Sequence, residues 1–350
     1  MLAAVYHGPE QLRVEECPVP SIAPDELLLQ VEFASICATD LRILAGGHRM
    51  CPPGTVRIPG HEIVGRIAGI GAAVQGCEQG QRVFIAPNVG CGHCPQCLRG
   101  KNNLCPSYQA FGITLDGGFA EYMRVTAAAI RQGNVIPLAP DVDPAGAALA
   151  EPFACVLHGQ EAVNVHGGDV VLIQGAGPIG LMHVLLARAR GARRILVSDQ
   201  APERLAKARL LGAARVMNIL EEDIARAVSE ETAGVGADVV IVAAPSREAA
   251  EQAPQLAAAG GRINLFAGMP MQRPSITLDA NLIHYKELIL TGSTGSSTGD
   301  CRRALELVCS GAVDLLPLIS GRYPLREAAA AFDAARSRSG LKIVFEPEVR

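Results

Sequence analysis

Three hundred and fifty residues are enough for about two domains, each able to bury its own core. Hydrophobic residues make up 49% and charged residues 19%, which excludes a disordered tail, a collagen and a highly charged coiled coil. A formal charge of -4 leaves no basic field for nucleic acid or an anionic membrane, and 4% aromatics without Trp weaken base stacking or a membrane belt.

In chain order, residues 1–13 lack a basic segment followed by an apolar one, so no secretory signal is expected. Up to residue 150 the chain is rich in Pro, Gly and short alternating runs, such as 26–33 (ELLLQVEF) and 62–68 (EIVGRIA). This pattern predicts many short strands, hence a β-rich barrel or irregular sheet domain. Ser35, Ile36, Cys37, Ala38, Thr39 and Asp40 close the first run; Pro59, Gly60, His61 and Glu62 open the second; Glu151 and Pro152 lead into the next domain. Cys, His and carboxylate are all zinc ligands, and an open mix of soft and hard donors describes a catalytic site. Singly, Cys37 reads as a small buried hydrophobe, and His61 with Glu62 as a surface pair.

Four of the 11 cysteines fall between residues 91 and 105, in GCGHCPQCLRGKNNLC. Turns at Gly92, Pro95 and Gly100 allow Cys91, Cys94, Cys97 and Cys105 to surround one tetrahedral ion, a closed and therefore structural site. An iron–sulfur cluster is the chemical rival, and His93 reads as a bystander. An odd cysteine count without a signal argues for thiolate ligands in a reducing cytoplasm.

From residue 169 strands alternate with helices. Strands are predicted at 170–174, 194–198, 238–243, 262–266 and 287–291, with helices at 179–190, 203–211 and 247–256 between them. That alternation implies a doubly wound parallel sheet, an α/β fold. The uncharged run 170–187 has the length of a membrane span, but Gly175, Gly177, Pro178 and Gly180 divide it into a strand, a turn and a helix. Gly175, Ala176, Gly177, Pro178, Ile179 and Gly180 form G-x-G-x-x-G directly after VVLIQ, where phosphates sit on a helix N-terminus. Asp199 follows nineteen residues after Gly180, at the end of the next strand, and suits the adenosine ribose of NAD over NADP. Arg204 can cover the adenine or tolerate a phosphate, whereas Arg193 and Arg194 read as solvated. The tail adds a helix at 301–309 and a strand at 341–345.

The motif set resembles the zinc-dependent medium-chain alcohol dehydrogenases, in the sorbitol/threonine/butanediol dehydrogenase branch. Gly60-His61-Glu62-x2-Gly65-x5-Gly71, the four-cysteine lobe, EPFACVLHG and GAGPIG occur in family order over essentially the whole chain. The resemblance implies a GroES-like catalytic domain (1–150, resumed by 295–350) and a Rossmann NAD-binding domain (151–294), with the active site in the cleft between them. It implies two zinc ions per chain, one structural and one catalytic. The catalytic shell would be Cys37, His61 and a carboxylate, Glu62 or Glu151, exchanging with water. It further implies oxidation of an alcohol by hydride transfer to the nicotinamide, with Thr39 relaying the proton. Where the family often carries a His to finish the relay, this chain has Arg42, so water or another group such as His48 completes it. Arg42 could instead hold a carboxylate or phosphate of the substrate.

The hydroxyl-rich segment Gly292, Ser293, Thr294, Gly295, Ser296 and Ser297 suits a polyol or sugar-like secondary alcohol, with an L-threonine 3-dehydrogenase activity as the alternative. A small-molecule substrate is expected, with neither nucleic acid nor membrane as partner. The resemblance also implies a homodimer or homotetramer paired through the last Rossmann strand. Two rivals stand beside this reading: a non-catalytic NAD-binding relative, and a zinc-free quinone reductase of the same fold.

Overall fold

The computed structural model describes residues 1–270, 272–337 and 340–347. The chain divides into two units, Met1–Ala154 with Ser296–Arg350, and Cys155–Gly295.

The first unit is built on a seven-stranded sheet. Its main path runs Ile319–Tyr323, Lys342–Phe345, Leu27–Ser35, Glu62–Ile70, Arg82–Ile85 and Val135–Pro137, with Tyr122–Val125 also pairing on Leu27–Ser35. Leu27, Leu29 and Val31 are buried while Leu28, Gln30 and Glu32 are less so, the period of two that a strand imposes on its faces. The core includes Phe119, set edge-on to Phe345 and Phe332 with ring centroids 4.9 and 5.9 Å away. The C-terminal strand lies antiparallel to Leu27–Ser35, with Val344 opposite Ser35 and Phe345 opposite Ala34. This return brings residues near 342 to the start of Glu62–Ile70. Gly60 has φ +93°, and a Cβ there would lie 2.5 Å from the Phe119 ring, so only glycine fits the turn that launches His61 and Glu62.

The second unit is a six-stranded parallel sheet in the order Arg215–Asn218, Arg194–Asp199, Val170–Gln174, Ala237–Val242, Ala257–Leu265, Ile289–Gly292. The order reverses at Val170–Gln174, the topological switch point at which such sheets bind ligands. All five residues of that strand are buried, as expected of a parallel strand covered on both faces. The apolar run 170–187 resolves into this strand and the helix Pro178–Ala189. Among the described residues no helix is long and apolar enough to cross a membrane.

The strand Arg215–Asn218 and the helix Ile224–Glu231 are additions to the predicted elements. The strand offers only four residues with a polar end, while the helix carries a readable stripe of buried Ile224, Ala227 and Val228. Ala257–Leu265 begins earlier than predicted, because Ala257 pairs with Ala237 through the backbone and AAAGG has no side-chain signature of a strand. Conversely, the last strand begins at Ile289 rather than 287, since Glu287 has φ +51° and belongs to a turn.

Candidate metal centres and dinucleotide loop

Cys37 caps the helix Ala38–Leu44 in extended backbone conformation. Asp40, buried three residues into that helix, accepts the Cys37 N–H at 2.8 Å through Oδ2 and the Gly60 N–H at 3.2 Å through Oδ1. The same Oδ1 lies 3.4 Å from His61 Nδ1. One carboxylate therefore ties the end of the first strand to the turn that opens the second. The result is that Cys37, His61 and Glu62 bring a sulfur, a ring nitrogen and a carboxylate oxygen within 4.8 Å of one another.

His61 and Glu62 are 5% and 0% exposed, and His61 Nδ1 is buried without a hydrogen bond. Burial opposes a charged imidazole, but Asp40 and Cys37 outweigh it and raise the His61 pKa well above its ordinary value. Lys342, 4% exposed, donates to Glu62 Oε1 at 2.6 Å and to the Ile36 carbonyl at 2.9 Å. Glu151 lies outside the three-donor set. Burial pushes its carboxyl up to about 7, opposed by His61 and reinforced by Glu62. Thr39 is half-buried in the first turn of the helix, and its hydroxyl makes no hydrogen bond among the described residues.

Asp40 and Lys342 are the two residues that motif reading passed over. Asp40 could have been found, as an acid at the third helical position after a capping residue. Lys342 had no signal: within LKIVF a lysine reads as an edge or surface residue.

The donor chemistry fits zinc in both places. The four thiols Cys91, Cys94, Cys97 and Cys105 lie within 4.8 Å of one another. Backbone N–H groups of Cys91, Cys94 and Cys97 donate to the sulfurs of Cys105, Cys91 and Cys94 at 3.3, 3.3 and 3.5 Å, the environment a thiolate requires. Such bonds, from the backbone of His93 and Cys94, lower the Cys91 thiol to about 6. His93 itself is exposed and donates through Nδ1 to the Cys91 carbonyl at 3.0 Å, outside the thiol set. Four sulfurs complete a tetrahedron, whereas Cys37, His61 and one carboxylate leave a position open.

In the second unit Gly175 adopts φ +112°, and a Cβ on Gly180 would lie 1.8 Å from the Gly175 carbonyl oxygen. Both positions therefore require glycine for the strand to turn into the helix whose N-cap is Gly177. Asp199 ends its strand beside this loop: Oδ2 accepts the Ala176 N–H at 2.7 Å and Oδ1 the Ala201 N–H at 2.9 Å. Arg204 brings a guanidinium nitrogen 3.8 Å from where a Gly177 Cβ would stand. Pro178 and Ile179 form the first turn of the helix. Arg194 pairs with Glu231, away from the loop.

The three serine hydroxyls of the 292–297 segment each have a partner within the protein. Ser293 Oγ exchanges hydrogen bonds with the Asn264 amide at 3.1 and 3.3 Å. In the first unit Ser296 Oγ lies 3.5 Å from Cys301 Sγ, and Ser297 accepts the Asp300 N–H at 3.1 Å as a helix cap. These hydroxyls hold the chain and start a helix.

A doubly wound sheet with a glycine-rich phosphate turn, alongside a β-rich unit carrying one closed and one open zinc-type donor set, defines a metal-dependent dehydrogenase of the nicotinamide class. Residues 23–137 match the alcohol dehydrogenase GroES-like domain, and residues 178–310 match the zinc-binding dehydrogenase family. Similar proteins include L-threonine 3-dehydrogenase of Bacillus subtilis (strain 168), 33% identical over 95% of this chain and 94% of that one. Sorbitol dehydrogenase of the same organism is 33% identical over 96% and 93%. Among solved structures, a zinc-binding dehydrogenase from Sinorhizobium meliloti 1021 bound to NADP superposes with a TM-score of 0.91 at 33% identity, covering 99% of both chains. The chain belongs to the zinc-dependent medium-chain alcohol dehydrogenase family, oxidoreductases that move a hydride between an alcohol and a nicotinamide cofactor.

Proposed function

We propose that this chain oxidises a secondary alcohol of a polyol or sugar-like substrate to a ketone, passing hydride to NAD. The observation that carries the reading is the donor set of half-buried Cys37 with buried His61 and Glu62, all within 4.8 Å. A zinc ion held by Cys37, His61 and either Glu62 or Glu151 would lower the pKa of the substrate hydroxyl.

The remaining work falls to the chain's own residues. Asp40 faces His61 Nδ1, so the other ring nitrogen is left for the metal. Lys342 neutralises Glu62, and the raised pKa of Glu151 keeps a second, readily neutralised carboxyl close by. Bound NAD would supply the hydride acceptor for the carbinol carbon, and the Thr39 hydroxyl would take the substrate hydroxyl proton. Because Arg42 stands where many relatives carry His, water or His48 takes that proton last.

The Gly175–Gly180 turn would hold the pyrophosphate, and Asp199 the adenosine ribose with Arg204 beside it. A carboxylate at that position repels a 2′-phosphate, which favours NAD; the NADP bound to the Sinorhizobium protein makes the preference worth measuring. The thiol lobe would hold a second, structural zinc. Ile289 (56% exposed) lies on the edge strand and Tyr285 (80%) just before it, apolar surface suited to pairing two copies in a dimer or tetramer. The similarity to L-threonine 3-dehydrogenase sustains the second reading, oxidation of a 3-hydroxy amino acid. The test is a panel of secondary alcohols, polyols and L-threonine, followed by NADH absorbance with NAD and NADP and with metal content measured. Zinc-dependent turnover is expected; none with any alcohol would leave a non-catalytic NAD-binding protein.

A further inference from the structure

Asn264 breaks the pattern its strand is expected to follow. Parallel strands covered on both faces read as apolar runs, and Ile263 and the neighbouring Val239, Val240, Ile241 and Val242 keep to it. Asn264 is 0% exposed near the end of Ala257–Leu265, where an amide costs stability unless its polar atoms are bonded. Departures of this kind concentrate at functional sites.

The amide is held by two other segments of the same unit. Nδ2 donates to the Gly159 carbonyl at 2.7 Å, on the helix Ala150–Ala162, and to Ser293 Oγ at 3.1 Å. Ser293 Oγ donates back to Asn264 Oδ1 at 3.3 Å. Asn264 stands in register with Thr291, so Ser293 lies just past the end of the last strand, Ile289–Gly292. The helix closes on this point because residue 159 is glycine: a Cβ there would stand 2.6 Å from the Phe266 ring and 3.0 Å from Asn264 Nδ2. Phe266 is in turn edge-on to the buried His183 ring at 4.7 Å, and Gln160 Nε2 donates to the His183 carbonyl at 2.8 Å. His183 belongs to Pro178–Ala189, the helix that the glycine turn opens. A packed brace therefore runs from that helix to the carboxyl ends of the last two strands.

Doubly wound sheets take a dinucleotide across the point where the strand order reverses, one mononucleotide to each half. With the pyrophosphate at Gly175–Gly180 and the adenosine ribose at Asp199, the half containing Val170–Gln174 and Arg194–Asp199 is occupied. Ala237–Val242, Ala257–Leu265 and Ile289–Gly292 are left for the nicotinamide half. We infer that Asn264, through Ser293 and Gly159, is a positioning residue that fixes the strand ends receiving the nicotinamide half of the cofactor. The inference rests on the proposed placement of the adenosine half and is independent of which alcohol is oxidised. One amide joining the ends of two strands to a helix orders them before the cofactor arrives, so that binding does not carry that entropic cost.

The test titrates zinc-loaded protein calorimetrically with NADH against ADP-ribose, and with NADPH against 2′-phospho-ADP-ribose, each pair differing at the nicotinamide. In the parent the whole cofactor should bind more tightly than the truncated ligand. In Asn264→Val that advantage should shrink about tenfold, as expected for two lost hydrogen bonds, while truncated-ligand affinity stays within about twofold. Ser293→Ala, which keeps the Gly159 bond, should lose part of the advantage, and Ser293→Thr should restore it. Truncated-ligand binding doubles as the check on folding; should Asn264→Val fail it, the two Ser293 variants decide. No nicotinamide advantage in the parent, an unchanged ratio in Ser293→Ala, or equal weakening of both ligands would overturn the positioning role. Truncated-ligand binding that Asp199→Ala leaves unchanged would instead defeat the proposed placement of the adenosine half.

Discussion

Lys342 Nζ lies 2.6 Å from the Glu62 carboxylate across 280 residues of sequence, with both side chains buried. The final strand of the chain thereby supplies the counter-charge for the first residue of a strand that begins beside the metal-type donors. Removing one member of such a pair leaves the other charged and dry, which typically costs about 3–5 kcal/mol. Lys342→Met should therefore lower the denaturation midpoint strongly, and Lys342→Met with Glu62→Gln should recover much of the loss. A single variant as stable as the parent would mean that Glu62 is neutral in the folded protein.

Cys37→Ser should reduce turnover by at least about a thousandfold, since an open zinc site depends on its thiolate. Metal analysis should fall from about two zinc per chain to about one, because the lobe of Cys91, Cys94, Cys97 and Cys105 keeps its own ligands. Loss of both metals, or of folding, would show that Cys37 does a structural job.

Thr39→Val should lower kcat by about 10²–10⁴, the usual range for a lost proton-transfer group, while Thr39→Ser should restore most of it. A kcat for Thr39→Val close to that of the parent would route the proton elsewhere, His48 being the next group to vary.

Asp199→Ala should raise the NAD KM about tenfold or more and narrow the discrimination against NADP. Because Asp199 also accepts the Ala176 and Ala201 N–H groups, Asp199→Asn is the companion variant that keeps part of the loop geometry. Unchanged cofactor preference in both would remove Asp199 from the ribose contact.

Acid stability depends on Glu32. Burial alone would raise its carboxyl, but hydrogen bonds from Arg82 at 2.6 Å and Arg66 at 2.8 Å overturn this and hold it below the ordinary 4.5. A depressed folded-state value contributes stability that is complete above the unfolded pKa and disappears as pH falls through the folded one. Glu32→Gln should therefore be less stable than the parent at pH 7, and the gap should narrow as pH falls below 4.5 and through the lowered folded-state value. A gap that persists at pH 2 would mean that packing rather than charge is responsible.

Much of this molecule is legible in short windows. The four-cysteine lobe, the GAGPIG turn and Asp199 at the end of the following strand are local patterns, because turn geometry and strand-to-helix passage are decided by neighbours in sequence. The buried strands of the parallel sheet were equally readable, since burial on both faces forces an apolar run. Tertiary pairing alone decided the rest. Lys342 reaches Glu62 only because Val344 lies opposite Ser35, a register no local pattern specifies. Asp40 joins Cys37 to Gly60 and His61 because two loops meet. The hydroxyls of Ser293, Ser296 and Ser297 were visible as composition, but folding determined that they bond to Asn264, Cys301 and Asp300. Residue types advertise what chemistry is available; which groups remain free to perform it depends on contacts between distant segments.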